Sequence, residues 1–417
     1  MEHNNIRKND NEVYEIIKRE EERKRTTLEM IPSENHTSPA VLEALSSIFN
    51  DKYAEGYPGK RYYGGNEHVD EMENLCMERA KELFGVPFCN VQGYSGSPAN
   101  MAVYFATLSP GEKVMGMHLN AGGHLTHGWK VNFSGTYYDS VFYGVSEEDS
   151  LIDYEEVREI AMRERPKLIF AVTTSYPRVL DFERFREIAD EVGAYLCADV
   201  SHISGLIVAG EHPSPTDHAH IITTTTHKTL RGPRGALIMV TESGMKKDSD
   251  LPEKINKAVF PGLQGGPHQH QIAAIAVCLK EAMSDSFKEY GSQVARNARM
   301  LSEELSEKGF KVVSGGTDNH LMLLDLKSKD TTGKKAQEFL EKAGIIVNKN
   351  AIPFDPLPPA TSSGIRLGTP ALTTRGMKEE QMKEVATLID EVIKEPGEKK
   401  IADIRSRVKS ICEKFPA

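Results

Sequence analysis

The chain has 417 residues, a formal net charge of −10, 39% hydrophobic and 27% charged residues, so it is long enough for more than one globular unit. The acidic balance argues against a primary nucleic-acid role, since a phosphate backbone needs a clustered basic surface; no nucleic-acid partner is expected. Five cysteines without a CxxC pair argue against a disulfide framework, and no run of about 18 apolar residues predicts a membrane span.

Residues 10 to 30 read as a charged helix with Val13, Ile16, Ile17 and Leu28 as sparse apolar anchors. The charged N-terminus lacks the apolar core of a signal peptide, and the expected location is the cytoplasm. A Gly- and Tyr-rich loop, Tyr53 to Gly65, precedes helical spacing over Val69 to Phe84. Short apolar runs then alternate with amphipathic stretches. Strands are predicted at Lys113–Met117, Leu168–Thr173, Ala194–Ala198, Ile221–Thr226 and Ala236–Thr241, and helices at Tyr154–Arg163, Phe182–Glu191 and Gln271–Ser284. This alternation predicts α/β layers around a mainly parallel sheet. Beyond residue 285 the rhythm changes. A long charged helix (Ser286–Lys308) precedes strand-like runs at Phe310–Ser314 and His320–Leu326, then helical stretches at Lys334–Ala343 and Glu379–Ile393. The expected organisation is an N-terminal helical arm (1–30), a large domain (31–285) and a small C-terminal α+β domain (286–417).

Three local patterns carry chemistry. The β-branched run Thr223–Thr226 leads to His227 and Lys228 and then to Gly232-Pro233-Arg234-Gly235, which must turn. A lysine at a strand end can bond covalently to an aldehyde cofactor; a surface lysine in a Thr-rich loop is the plainer alternative. Upstream, the strand through Ala198 ends in Asp199, and ligands of α/β sheets bind beyond strand carboxyl ends. A carboxylate there can hold a pyridinium nitrogen protonated, or it can be a helix cap. Third, Ser95-Gly96-Ser97 opens a helical stretch, as a phosphate cradle does and as an ordinary N-cap also does. The order of phosphate cradle, strand-end Asp and strand-end Lys is that of the aminotransferase-like, fold-type I pyridoxal-phosphate enzymes.

The longer motifs are more specific. From about residue 20 to 395 the chain resembles serine hydroxymethyltransferases, through Ser33-Glu34-Asn35, Lys52-Tyr53-Ala54-Glu55-Gly56-Tyr57-Pro58-Gly59-Lys60-Arg61-Tyr62-Tyr63-Gly64-Gly65, Gly122-Gly123-His124-Leu125-Thr126-His127-Gly128, Thr226-His227-Lys228-Thr229, Phe260 to His268, Val347 to Asn350 and Ser363 to Pro370. The resemblance implies a large domain with a mixed, mostly parallel seven-stranded sheet and a smaller C-terminal α+β domain. It implies pyridoxal 5'-phosphate held covalently on Lys228, Asp199 on the pyridine nitrogen, His124 stacked on the ring and His227 shaping substrate preference. Ser95, Gly96 and Ser97 match the phosphate cradle; Tyr53, Gly265 and Gly266 match residues that reach the phosphate from a partner subunit; Thr174 and His202 match positions near the phenolic oxygen. Arg366 and Ser33 match the contacts to the substrate carboxylate. Glu55 and Tyr63 resemble the proton-handling pair supplied across a homodimer interface. Leu119, Gly123, Leu125, Asn350 and Tyr62 match positions of the tetrahydrofolate site. No metal is implied: a His124/His127 metal pair would need further ligands that the motif lacks. The implied reaction converts serine and tetrahydrofolate to glycine and 5,10-methylenetetrahydrofolate. Gly93, Asn120-Ala121, Thr174 and Pro358-Pro359-Ala360 depart from the usual pattern, which leaves open a methanopterin-type carrier. A pterin-independent aldolase acting on threonine-like amino acids, and a non-catalytic scaffold, are the competing readings.

Overall fold

The computed structural model describes residues 3–417. Its central feature is a seven-stranded sheet built from β1 (Phe88–Gly93), β2 (Lys113–Met117), β3 (Asp139–Tyr143), β4 (Leu168–Val172), β5 (Tyr195–Asp199), β6 (Ile221–Thr225) and β7 (Ala236–Val240). The strands lie in the order β1-β7-β6-β5-β4-β2-β3, with β7 antiparallel to both neighbours and the rest parallel. Every residue of β4 and β6 is buried, which explains why both read as continuous apolar or β-branched runs rather than alternating ones. Helices cover both faces and start where the side chains dictate. Asp153 and Asp181 cap Tyr154–Glu164 and Phe182–Val192, accepting hydrogen bonds from the first-turn N–H groups of Glu155 and Arg184. The second of these helices stops at Gly193, which adopts a φ of 72°.

A second sheet, wholly antiparallel, contains β8 (Lys311–Val312), β9 (Leu321–Asp325), β10 (Asn348–Asn350) and β11 (Gly364–Gly368) in the order β8-β9-β11-β10. Its core is distinct from that of the large sheet. The 23-residue helix Asp285–Glu307 belongs to both: Phe287, Tyr290 and Val294 pack in the large core, and Ala298, Leu301 and Leu305 in the small one.

Two expectations are corrected. The N-terminal helix ends at Thr26 and does not reach residue 30, because consecutive β-branched Thr26 and Thr27 disfavour another turn. Leu28–Glu29 instead form a short parallel strand against Ile345–Ile346, and Leu28 is buried in the small core. Similarly, only Lys311–Val312 of the run 310–314 is a strand; Ser314 takes a φ of 59° in the turn that follows. Among the described residues no helix is long and apolar enough to cross a membrane.

Candidate active site

The carboxyl ends of β5 and β6 open on a cleft of about 340 Å³. Its lining brings together Lys228, His227, Asp199, His202, His124, Ser95, Gly96, Ser97, Thr174, Ser33 and Arg366. The same wall holds Asn100, Ser201, Thr225, Arg234 and Glu34, to which the sequence patterns assigned no role of their own.

Lys228 sits three residues past the end of β6 and donates from Nζ to Thr225 Oγ1 at 2.7 Å. Its main chain is fixed from a distance, since Asn35 Nδ2 donates to the Lys228 carbonyl at 2.9 Å and also to the Tyr290 hydroxyl. Burial pushes the Lys228 ammonium down to about 8; Arg366 and Arg234 add to this, and Asp199 opposes it.

Asp199 is the negative pole. Burial alone would raise its pKa, but hydrogen bonds from His127, Ser201 and Asn100 together hold the carboxyl well below the usual range. Oδ2 accepts from Asn100 Nδ2 at 2.8 Å and meets His127 Nε2 at 3.1 Å. Oδ1 accepts from the Ser201 hydroxyl at 2.6 Å and the Ser201 N–H at 3.1 Å. The tautomer of His127 follows from its other nitrogen: Nδ1 accepts the His124 N–H at 3.2 Å, so Nε2 carries the proton and donates to Asp199. His127 is thereby committed to a carboxylate. His124 Nδ1 likewise takes the Thr126 hydroxyl at 2.8 Å and the Thr126 N–H, so its proton lies on Nε2. Burial pushes His124 down to about 4 and leaves it a neutral, flat ring on the cleft wall. His227 beside Lys228 is pushed to about 3, again chiefly by burial.

At one end of the cleft the helix Gly96–Thr107 presents its first turn, and the Ser95 side chain does not cap it. Its N–H groups therefore face the cleft without a side-chain partner. Gly96 is required there: a Cβ would stand 2.7 Å from Thr225 Cγ2. Across the cleft, Arg366 on β11 donates from Nη1 to the Thr174 carbonyl at 2.7 Å and from Nε to Asn348 Oδ1 at 3.3 Å. Burial alone lowers its pKa, to about 10, and no carboxylate of the described residues offsets it. A half-buried guanidinium without a counter-ion is prepared for an external anion.

A second cleft of about 330 Å³ adjoins the first and shares His124, Thr174 and Arg366 with it. Leu119, Gly123, Leu125 and Asn350 line it, together with Lys349.

The remaining predicted residues stand apart from both clefts. Tyr53, Gly265 and Gly266 border a separate surface hollow with Tyr94 and His268. Tyr53 and Tyr63 pack at 5.1 Å between ring centroids, and Tyr62 meets Phe260 at 5.7 Å. Glu55 lies against Gly265 and raises the pKa of the Tyr63 phenol. The loop that carries them is anchored from beneath: Arg61 bonds to Asp70, Glu73 and the carbonyls of Ala54 and Gly56. Its aromatic tips face outward, Tyr62 being 75% exposed.

A mixed seven-stranded sheet with a lysine, an anionic aspartate and a helix N-terminus converging at its strand ends defines a fold-type I pyridoxal-phosphate enzyme. The model of the family described as serine hydroxymethyltransferase matches residues 6–389, and the chain belongs to that family. Members are pyridoxal-phosphate-dependent transferases that link serine and glycine to folate one-carbon transfer.

Proposed function

We propose that this chain catalyses reversible transfer of the serine hydroxymethyl carbon to tetrahydrofolate, giving glycine and 5,10-methylenetetrahydrofolate, with pyridoxal 5'-phosphate bound covalently through Lys228. One observation carries the reading: the cleft with Lys228, Asp199 and Arg366 abuts a second cleft of similar size, and both share His124, Thr174 and Arg366. A carbon acceptor in the second would meet an amino acid in the first.

The groups present fit the cofactor. The first turn of Gly96–Thr107 with Ser95 and Ser97 would hold its phosphate, Asp199 its ring nitrogen, His124 a ring face and His202 with Thr174 the side of the phenolic oxygen. When bound, pyridoxal phosphate supplies an electron sink for the bond broken at the amino acid's α-carbon. The protein does the rest. Asp199, kept anionic by three donors, would favour a protonated ring nitrogen on the bound cofactor. Arg366 and Ser33 fix the substrate carboxylate, and with it the orientation of the bond to be broken. The low pKa of Lys228 gives it a neutral, nucleophilic fraction near neutral pH.

Proton handling falls to Glu55 and Tyr63, with Tyr53, Gly265 and Gly266 assisting at the phosphate and Tyr62 near the pterin. In one copy none of these lines either cleft, and the exposed loop that carries Tyr53, Glu55, Tyr62 and Tyr63 favours their delivery by a second copy in a homodimer. Five buried free cysteines support placement in a reducing compartment, which we take to be the cytoplasm.

The test is glycine formation from serine by the pyridoxal-phosphate-loaded protein, with and without tetrahydrofolate. Strong stimulation by tetrahydrofolate is expected. Cleavage of allo-threonine without any folate response would replace this reading with an aldolase.

A further inference from the structure

One buried pair beside the cleft has a geometry that the roles above leave unused. His202, three residues past β5, lines the cleft, and His320 reaches it from the residue before β9. His202 Nδ1 and His320 Nε2 stand 3.2 Å apart, with ring centroids at 5.4 Å. Both rings are buried, at 3% and 0% exposure. His320 is held there by its neighbours: Asp318 N–H donates to the Pro177 carbonyl at 2.9 Å, Asn319 Nδ2 to the Tyr176 carbonyl at 3.2 Å, and Arg178 pairs with Asp318 at 3.0 Å.

Burial keeps both imidazoles neutral. It pushes His320 to about 3, with Arg366 and Lys228 adding to the effect, and it holds His202 well below its ordinary value. A neutral imidazole carries one proton, so one of the two facing nitrogens donates and the other accepts. The far nitrogen of His320 decides which. No protein group among the described residues reaches His320 Nδ1. If His202 were the donor, the His320 proton would sit on Nδ1 as a buried N–H without an acceptor. If His320 donates from Nε2, Nδ1 is only a bare lone pair, and buried orphan acceptors are better tolerated than orphan donors.

We infer that His320 is a positioning residue: its Nε2–H fixes the His202 proton on Nε2, the nitrogen free of protein partners at the cleft, and so makes His202 a hydrogen-bond donor toward an anionic oxygen bound there. For a bound cofactor that oxygen would be the phenolic one, a consequence that rests on the function proposed above. The proton assignment itself does not.

The experiment is therefore done first on cofactor-free protein, by long-range ¹⁵N–¹H correlation of the imidazole nitrogens at neutral pH, with His202 assigned from the signals lost in H202N. Expected is a protonated Nε2 and a bare Nδ1 on His202, with the major tautomer favoured by at least about fivefold. The reverse tautomer, or an even mixture, overturns the inference. H320F removes the donor and should mix the two forms, whereas H320Q keeps an amide donor in the place of Nε2 and should retain the wild-type tautomer. An unchanged His202 tautomer in folded H320F would also overturn it. Should H320F not fold, the wild-type spectrum and H320Q still decide. Failure of the cofactor reading would show separately, as a protein that takes up no pyridoxal phosphate on Lys228 while the His202 signals remain as expected.

Discussion

The pH dependence of cofactor capture should expose the electrostatics around Lys228. An ordinary lysine ammonium titrates at 10.5, and here burial brings it to about 8. At pH 7 a group of pKa 8 is neutral in about one molecule in ten, against about one in three thousand at 10.5, a gain of roughly 300-fold in attacking amine. Stopped-flow absorbance of cofactor-free protein mixed with pyridoxal phosphate, from pH 6 to 10, should give an association rate that climbs with a midpoint near 8. Two variants fix the sign. Arg366→Gln removes a cation that disfavours the ammonium and should move the midpoint up; Asp199→Asn removes an anion that favours it and should move the midpoint down. A wild-type midpoint near 10, or displacement of both variants in the same direction, would refute this account of the site's charge balance.

Arg366→Ala should raise KM for serine by about 100-fold, since loss of a bidentate charge-assisted contact costs about 3 kcal/mol; an unchanged KM would place the substrate carboxylate elsewhere. His127→Leu removes one of the donors to Asp199 and should cost about 1–3 kcal/mol of stability in a denaturant titration. The sign with pH follows: the depressed Asp199 stabilises the fold fully above its unfolded value and loses that contribution as pH falls toward the folded one. With fewer donors the variant should begin acid unfolding at a higher pH than wild type, and coincident acid transitions would contradict this. Gly96→Ala pushes a methyl group against Thr225 Cγ2 and should weaken pyridoxal-phosphate affinity by about tenfold or more, measured by equilibrium dialysis. Glu55→Gln and Lys228→Ala, each inactive alone, should on mixing recover about a quarter of wild-type activity if the sites are shared between two copies. No recovery from a mixture shown to exchange subunits would mean that Glu55 acts within its own chain.

How much of this was legible in the sequence depended on where each hydrogen-bond partner sits. Strands β4, β5 and β6 were evident because burial on both faces demands unbroken apolar or β-branched runs. Strand β1 escaped recognition because Asn90 and Gln92 interrupt it. Those polar side chains are buried with their amide N–H groups bonded: Asn90 donates to Asn256 and the Tyr57 hydroxyl, and Gln92 to Glu73 and the Gly56 carbonyl. Strand β3 was missed for the opposite reason, since it is an edge strand and mostly half-exposed. The site divides in the same way. Lys228, Asp199 and Ser95 to Ser97 were visible because strand ends and helix starts are local events, and the longer motifs then tied them to one family. Ser201, two residues beyond Asp199, was within reach of the same local logic. Asn100 and His127 were not, because they approach Asp199 from 99 and 72 residues away and only the folded sheet brings them together. The residue that bears the charge is thus legible locally, while the donors that set its pKa are a property of the tertiary fold. Near-identical motifs on two such scaffolds can therefore titrate differently, and the His127 and Asn100 contacts are where that difference would arise.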